Sequence, residues 1–267
     1  MAHFFNIYPE KFNNKTNGIT FRRWLLHTNK ELADYITSLI GDDYKKDATK
    51  LEELGKFIED KAVLKQLQTI KQHRKTQLAN YIRKHEKIDI NPRSIFDVQI
   101  KRIHEYKRQQ MNLLYIIHKY LEIKQGIYPK SSITFIFGGK AAPAYTIAKD
   151  IIHAILCMQQ IIEDDEVVRK YIKVVMVQNY NVSYAQKIIP AADIGDKESL
   201  TRLHKDMTTK DYFMALIDLE DYIAVKDKLI KSYKVKDKWA QKMLINISKA
   251  GYFSSDRTIA DYNEDIW

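Results

Sequence analysis

The stretch Ile133-Thr134-Phe135-Ile136-Phe137-Gly138-Gly139 restricts the fold more than any other part of the chain. Its unbroken β-prone residues read as a strand buried on both faces, and the paired glycines mark a tight turn. Helical periodicity then runs from about Pro143 to Ile162. The same order recurs downstream: Ile172–Val177 reads as a strand, Asn179-Tyr180-Asn181 as a turn, and Val182–Ile188 as a short helix. Upstream, Ser94–Ile100 alternates apolar and polar residues enough for a short strand, followed by a helix from about His104 to Lys124 that Gly126 ends. Strands separated by crossover helices predict an α/β fold, a parallel sheet covered on both faces. In such a sheet sites lie at the carboxyl ends of the strands, here in the turns after Ile100, Phe137 and Val177.

Elsewhere the pattern is helical. Leu32, Tyr35, Ile36 and Leu39 follow a cap at Asn29 and stop at Gly41, and an amphipathic helix spans about Lys61 to Lys87. Beyond Gly195 only helices are predicted, at about Asp211–Tyr233, Lys238–Ala250 and after Ser255-Asp256. The chain therefore divides into an incomplete α/β domain, residues 1–194, and a helical C-terminal segment, residues 195–267. That division describes two domains, or one domain that has lost its later strands.

Composition narrows the function. Hydrophobic residues at 45 % and charged residues at 29 % are the balance of a globular protein. No apolar run approaches the roughly 18 residues of a membrane span, and the first residues lack a signal peptide's basic and apolar regions. A cytoplasmic protein without a membrane partner is expected. The net charge of +10 raises the question of a polyanion, but basic and acidic residues interleave along the whole length. That distribution predicts a solvated surface with one local anion site, and no nucleic-acid platform is seen. The eight histidines form no His-x-x-x-His pair, so no metal site is expected. Cys157, inside the apolar stretch Ile151–Met158, is expected to be a buried thiol.

The chemistry concentrates in Asp97-Val98-Gln99-Ile100-Lys101-Arg102-Ile103-His104-Glu105-Tyr106-Lys107-Arg108. A strand ending near Ile100 and turning into a helix would set Lys101 and Arg102 beside a helix N-terminus, with Lys107 and Arg108 one turn further on. Converging Lys and Arg donors there suit a phosphate; the same residues also suit a solvated basic face. Gly138-Gly139-Lys140-Ala141-Ala142-Pro143 lacks the spacing and the Ser/Thr of a nucleoside triphosphate loop, and no Gly-x-Ser-x-Gly elbow exists.

Three ordered runs resemble the C-terminal half of the glycogen, starch and maltodextrin phosphorylases: Pro9 to Trp24, Phe96 to Gln109 and Gly138 to Tyr145. The resemblance resumes at Asn179–Pro190 and at Lys249–Ile259. It implies a partial Rossmann-like sheet of the GT-B C-terminal domain, and an enzyme that releases glucose 1-phosphate from α-1,4-glucan with orthophosphate, using pyridoxal 5′-phosphate. By motif, Arg102 and Lys107 would hold the substrate phosphate as catalytic residues. Lys101 would contact the cofactor phosphate and Tyr180 would lie by the cofactor. Asn17 and Tyr106 would hydrogen-bond the terminal glucose, and Tyr145 would line the mouth of the cleft.

One departure is large. After Ile188-Ile189-Pro190-Ala191-Ala192-Asp193 the family continues into E-A-S-G-T-G-N-M-K-F, whose lysine forms the Schiff base; here Ile194-Gly195 leads to Asp211-Tyr212-Phe213, which in the family lies well downstream. Set against the family, the Schiff-base lysine, the later strands and the N-terminal domain are expected to be absent. The expectation is a phosphorylase fragment that is inactive alone, without covalent cofactor. The alternative is a non-catalytic binding or assembly protein that pairs with a phosphorylase subunit or with itself.

Overall fold

The three expected strands lie side by side: β1 (Ile95–Ile100), β2 (Ile133–Gly138) and β3 (Ile172–Met176). The structure is a computed structural model and describes residues 2–195 and 217–265. A two-residue strand, β4 (Ile194–Gly195), completes a sheet of order β3-β2-β1-β4 in which every pairing is parallel. Ile95 opposes Ile133 and Ile100 opposes Gly138; Phe137 opposes Met176, so the strands end level at the carboxyl edge. The helices are α1 (Ala2–Ile7), α2 (Lys30–Ile40), α3 (Lys61–Glu86), α4 (Gln109–Lys124), α5 (Thr146–Asp164), α6 (Val182–Ala191), α7 (Leu219–Ser232), α8 (Lys236–Ser248) and α9 (Ser255–Asp265). The first part of the helix expected from Asp211 lies outside the described residues. None of the helices described is long and apolar enough to cross a membrane.

The chain packs as two compact units, residues 68–239 and residues 1–67 with 240–267, whose boundaries fall within α3 and just inside α8. The larger unit is the α/β one. On one face of its sheet, Ile95, Phe135, Phe137 and Val174 pack with Tyr115 and Ile116 of α4, Ile151 and Ile155 of α5, and Ile230 of α7. On the other, Phe96, Val98, Ile136 and Val175 pack with Leu78 and Ile82 of α3 and Tyr184 and Ile188 of α6. The parallel sheet with helices on both faces is thus as the sequence predicts. The smaller unit is helical and gathers Ile36, Tyr44, Leu51, Leu54, Leu64, Ala240 and Leu244.

Cys157 is exposed, contrary to its expected burial. The buried stripe of α5 runs through Ala148, Ile151, Ile155, Met158 and Ile162, and position 157 falls off it; its Sγ lies 3.5 Å from His153 Nε2.

The alternation in β1 has an unexpected resolution. Asp97 and Gln99 share a face with Ile95, and that face is dry: their exposures are 2 % and 1 %. Lys226 of α7 enters the same interior, 2.7 Å from the Asp97 carboxylate, and donates to Asn112 Oδ1 at 2.5 Å and Tyr222 Oη at 3.0 Å. Burial alone would lower the Lys226 pKa; the Asp97 carboxylate reverses this, and the ammonium titrates above its ordinary value.

Breaking a buried pair leaves one charge uncompensated, at about 3–5 kcal/mol. Lys226→Met is expected to destabilise the chain by about that much in urea denaturation, and Asp97→Leu/Lys226→Met to recover most of the loss. A second expectation concerns acid. Asp165 accepts from Lys124 Nζ at 2.8 Å, from the Val167 and Val168 amides at 3.0 Å each and from Tyr120 Oη at 3.1 Å, and the hydrogen bond from Lys124 leads in lowering its pKa. A carboxyl depressed by folding stabilises above its unfolded pKa of about 4 and loses that contribution as the pH falls through the folded value. The fall in urea midpoint below about pH 4 is therefore expected to be shallower in Asp165→Asn than in the parent chain.

Candidate functional site

The level strand ends bring together turns that are distant in sequence. The Lys101 amide, just past β1, donates to Gly138 O at 2.9 Å, and Ile103 N donates to Lys140 O at 3.2 Å. A Cβ on Gly139 would lie 2.1 Å from Lys101 O, so the two backbones touch at a place where only glycine fits. A Cβ on Gly138 would lie 2.8 Å from the Tyr180 ring, which reaches in from the turn after β3. Burial raises the Tyr180 pKa. Lys101, Gly138, Gly139 and Tyr180 therefore form one surface at the carboxyl edge.

The strand does not run straight into a helix. A 3-10 turn, Glu105–Lys107, intervenes, and Arg108 takes a left-handed conformation at φ 59° before α4 begins at Gln109. Lys101 and Arg102 are accordingly not seated at a helix N-terminus; the anion character of the turn resides in its side chains. Buried Gln109 fixes the backbone between them, accepting from His104 N at 3.3 Å and donating to Arg102 O at 3.1 Å. Arg102 and Tyr106 are exposed, Lys101 and Lys107 are half-buried, and Lys107 Nζ stands 5.3 Å over the Tyr106 ring.

Tyr145 closes the other side. Its hydroxyl donates to the Glu105 carboxylate, and its ring centroid lies 4.8 Å from that of His104, which is itself 4.5 Å from Tyr106. Burial and then the Glu105 hydrogen bond raise the Tyr145 pKa. Glu105 and Gln109 were not singled out in the sequence. Their signal was their place inside the basic motif, where a carboxylate and an amide are available to tie its turns.

Asn17 belongs to the smaller unit, where two of the resembling runs meet. Ile19 N donates to Phe253 O at 2.8 Å and Ser255 N to Ile19 O at 2.9 Å. Thr258 Oγ1 and Arg257 Nη2 donate to Thr16 O at 2.8 and 3.2 Å, and Gly18 leaves no room for a Cβ against Ser255. Asn17 is exposed between these anchored neighbours.

Among the described residues no group of three or more His, Cys, Asp or Glu could hold a metal ion. A cleft of about 610 Å³ opens at the opposite, amino-terminal edge of the sheet, lined by Asn91, Ser94, Ile133, Arg169 and Tyr171 among others. It contains none of the residues that the motifs single out.

A family model for carbohydrate phosphorylase matches residues 1–204 and 195–267. The chain is 44 % identical over 356 positions to maltodextrin phosphorylase of Streptococcus pneumoniae, covering 99 % of this chain and 47 % of that protein. It is 32 % identical over 358 positions to the muscle form of glycogen phosphorylase of Mus musculus, and 30 % identical over 360 positions to glycogen phosphorylase of Synechocystis; each match covers 42 % of the relative. The chain thus spans less than half the length of these relatives, and each alignment is longer than its 267 residues.

The contact at Gly139 makes a test of how the edge is built. Gly139→Ala is expected to destabilise by about 1–3 kcal/mol, because backbone must move, whereas Gly55→Ala, with nothing near its Cβ, is expected to be neutral or slightly stabilising. Thermal denaturation of the two variants checks the contrast.

Proposed function

This chain belongs to the carbohydrate phosphorylase family, and on that premise we propose that the carboxyl edge of its sheet is a phosphate-binding site of the α-1,4-glucan phosphorylase kind, in a chain that does not carry out phosphorolysis by itself. The observation that carries the reading is the junction of Lys101 with Gly138 and Gly139, with Tyr180 against it. Two motifs of the family, separate in sequence, become one polar surface there. On this reading Arg102 and Lys107 hold the substrate phosphate, and their fixed positive charge offsets the negative charge of that phosphate as it attacks. Tyr106 and Tyr145 contact the sugar.

Pyridoxal 5′-phosphate, where bound, supplies a phosphate that relays a proton. Lys101 and Tyr180 suit its non-covalent attachment. A covalent link has no support among the described residues. Lys140 and Lys187, which flank the turns in sequence, are exposed. The buried Lys75, Lys119 and Lys226 are each paired with a carboxylate, and Lys71 is held by the Pro190 and Ala192 carbonyls. The cofactor therefore fits in part. The two-part family match, with its seam at residues 195–204, and alignments longer than the chain support an internal stretch present in the relatives and missing here.

The purified chain, given maltodextrin, phosphate and pyridoxal phosphate, is expected to release no glucose 1-phosphate and to give no borohydride-trapped adduct at a unique lysine. Inorganic phosphate is expected to bind weakly in calorimetry, and Arg102→Ala to weaken it about tenfold, the worth of one charged hydrogen bond. Phosphorolysis by the parent chain that Arg102→Ala abolishes would refute the inactivity; phosphate binding indifferent to Arg102 would refute the site.

A further inference from the structure

A continuous line of buried polar groups joins α7 to the basic turn. Lys226 Nζ, paired with Asp97 at 2.7 Å, donates to Asn112 Oδ1 at 2.5 Å. Asn112 Nδ2 donates to Gln99 Oε1 at 3.1 Å, and Gln99 Nε2 donates to Lys107 O at 3.1 Å. Gln99 and Asn112 are each 1 % exposed and Lys226 is 5 % exposed. The direction of every bond follows from the first. An ammonium only donates, so Asn112 must turn its oxygen to Lys226 and its NH₂ to Gln99. Gln99 must then offer its oxygen to Asn112, which leaves its NH₂ for the carbonyl of Lys107. The other end of α7 holds the same turn: Asp218, just before the helix, pairs with Arg108 at 2.6 Å, and Arg108 is the left-handed residue that ends the turn.

We infer that α7 is the positioning element of the basic turn, with Lys226 acting through Asn112 and Gln99 on the Lys107 carbonyl and Asp218 acting on Arg108. This rests on reading the turn as a phosphate site. A one-turn 3-10 segment supplies little of its own rigidity, so the aim of Lys107 depends on what grips its backbone. Docked α7 orients both amides and fixes the turn. Undocked, it frees Asn112 and Gln99 to flip and takes the donor from Lys107 O. α7 thus couples its own docking to the affinity of the turn for anions, and the coupling is reciprocal.

Hydrogen exchange of the full chain, with and without saturating inorganic phosphate, tests this without mutation. Phosphate is expected to slow exchange in residues 101–108 and also in α7, residues 219–232. Protection of 101–108 with α7 unchanged overturns the inference and leaves the phosphate site standing; no protection at either place overturns both. A second measurement uses Gln99→Met, which cuts the line at the turn while keeping the Lys226–Asp97 pair. Its phosphate dissociation constant is expected to rise about tenfold, within the usual range of coupling between sites. A residue that served stability alone would lower the thermal midpoint and leave that constant where it was; this result in the folded variant also overturns the inference.

Discussion

A lysine ammonium buried against the middle of the central strand is the interaction on which the α/β unit depends. β1 is the inner strand of a sheet covered by helices on both faces, so its side chains are shut off from water, and one of its faces carries Asp97 and Gln99. A carboxylate left alone there would cost several kcal/mol in lost hydration. Lys226 removes that cost, and it arrives on α7, so completing the sheet and docking that helix are one event. A second buried lysine works at the start of β1. Lys75 of α3 donates to Ser94 O at 2.6 Å and to Asp193 at 2.5 Å, and the same Asp193 oxygen accepts from Phe96 N at 2.9 Å. Asp193 immediately precedes β4, so this contact sets where the last strand meets the first.

With β1 fixed from both faces, the carboxyl edge follows from register. Parallel pairing puts Ile100 opposite Gly138 and Phe137 opposite Met176, and the chain leaves all three strands at one level. What joins the turns into one surface is the close approach that two glycines permit. Gly139 admits the Lys101 carbonyl and Gly138 admits the Tyr180 ring, so the basic turn, the glycine turn and the tyrosine turn share a wall. Larger residues at either position would hold the turns apart and disperse the same charges.

The strands and the crossover helices were legible because each is a long apolar run of one period, and topology then located the edge. What was illegible depended on partners distant in the chain. The alternation of Ser94–Ile100 marked a strand but not what its polar residues would meet: that face is dry, and its counter-charge comes from Lys226, more than a hundred residues on. β4 is too short to carry a pattern, and it exists through its pairing with Asp97 and Val98. The left-handed Arg108 had no compositional mark, since such a conformation is ordinarily signalled by Gly or Asn. The basic motif itself was visible, but its junction with the glycine turn was not, because spacing does not report a contact between turns.

Binding and turnover also separate for a physical reason. The groups that grip the basic turn, Gln99, Gln109, Asn112 and Lys226, all lie within residues 68–239, as do the partners they bond. On the proposed reading, the hydrogen bonds that aim the turn at an anion all come from within that unit. Turnover asks more: a sugar gripped in line with the phosphate, and reacting groups held to within about an ångström, where a slip of that size costs on the order of a hundredfold. Asn17, the sugar contact suggested by motif, belongs to the other compact unit, and the relatives devote more than half of their length to residues this chain does not match. On the proposed reading, then, binding and turnover draw on different parts of the fold, because the hydrogen bonds that shape the basic turn are local to the sheet.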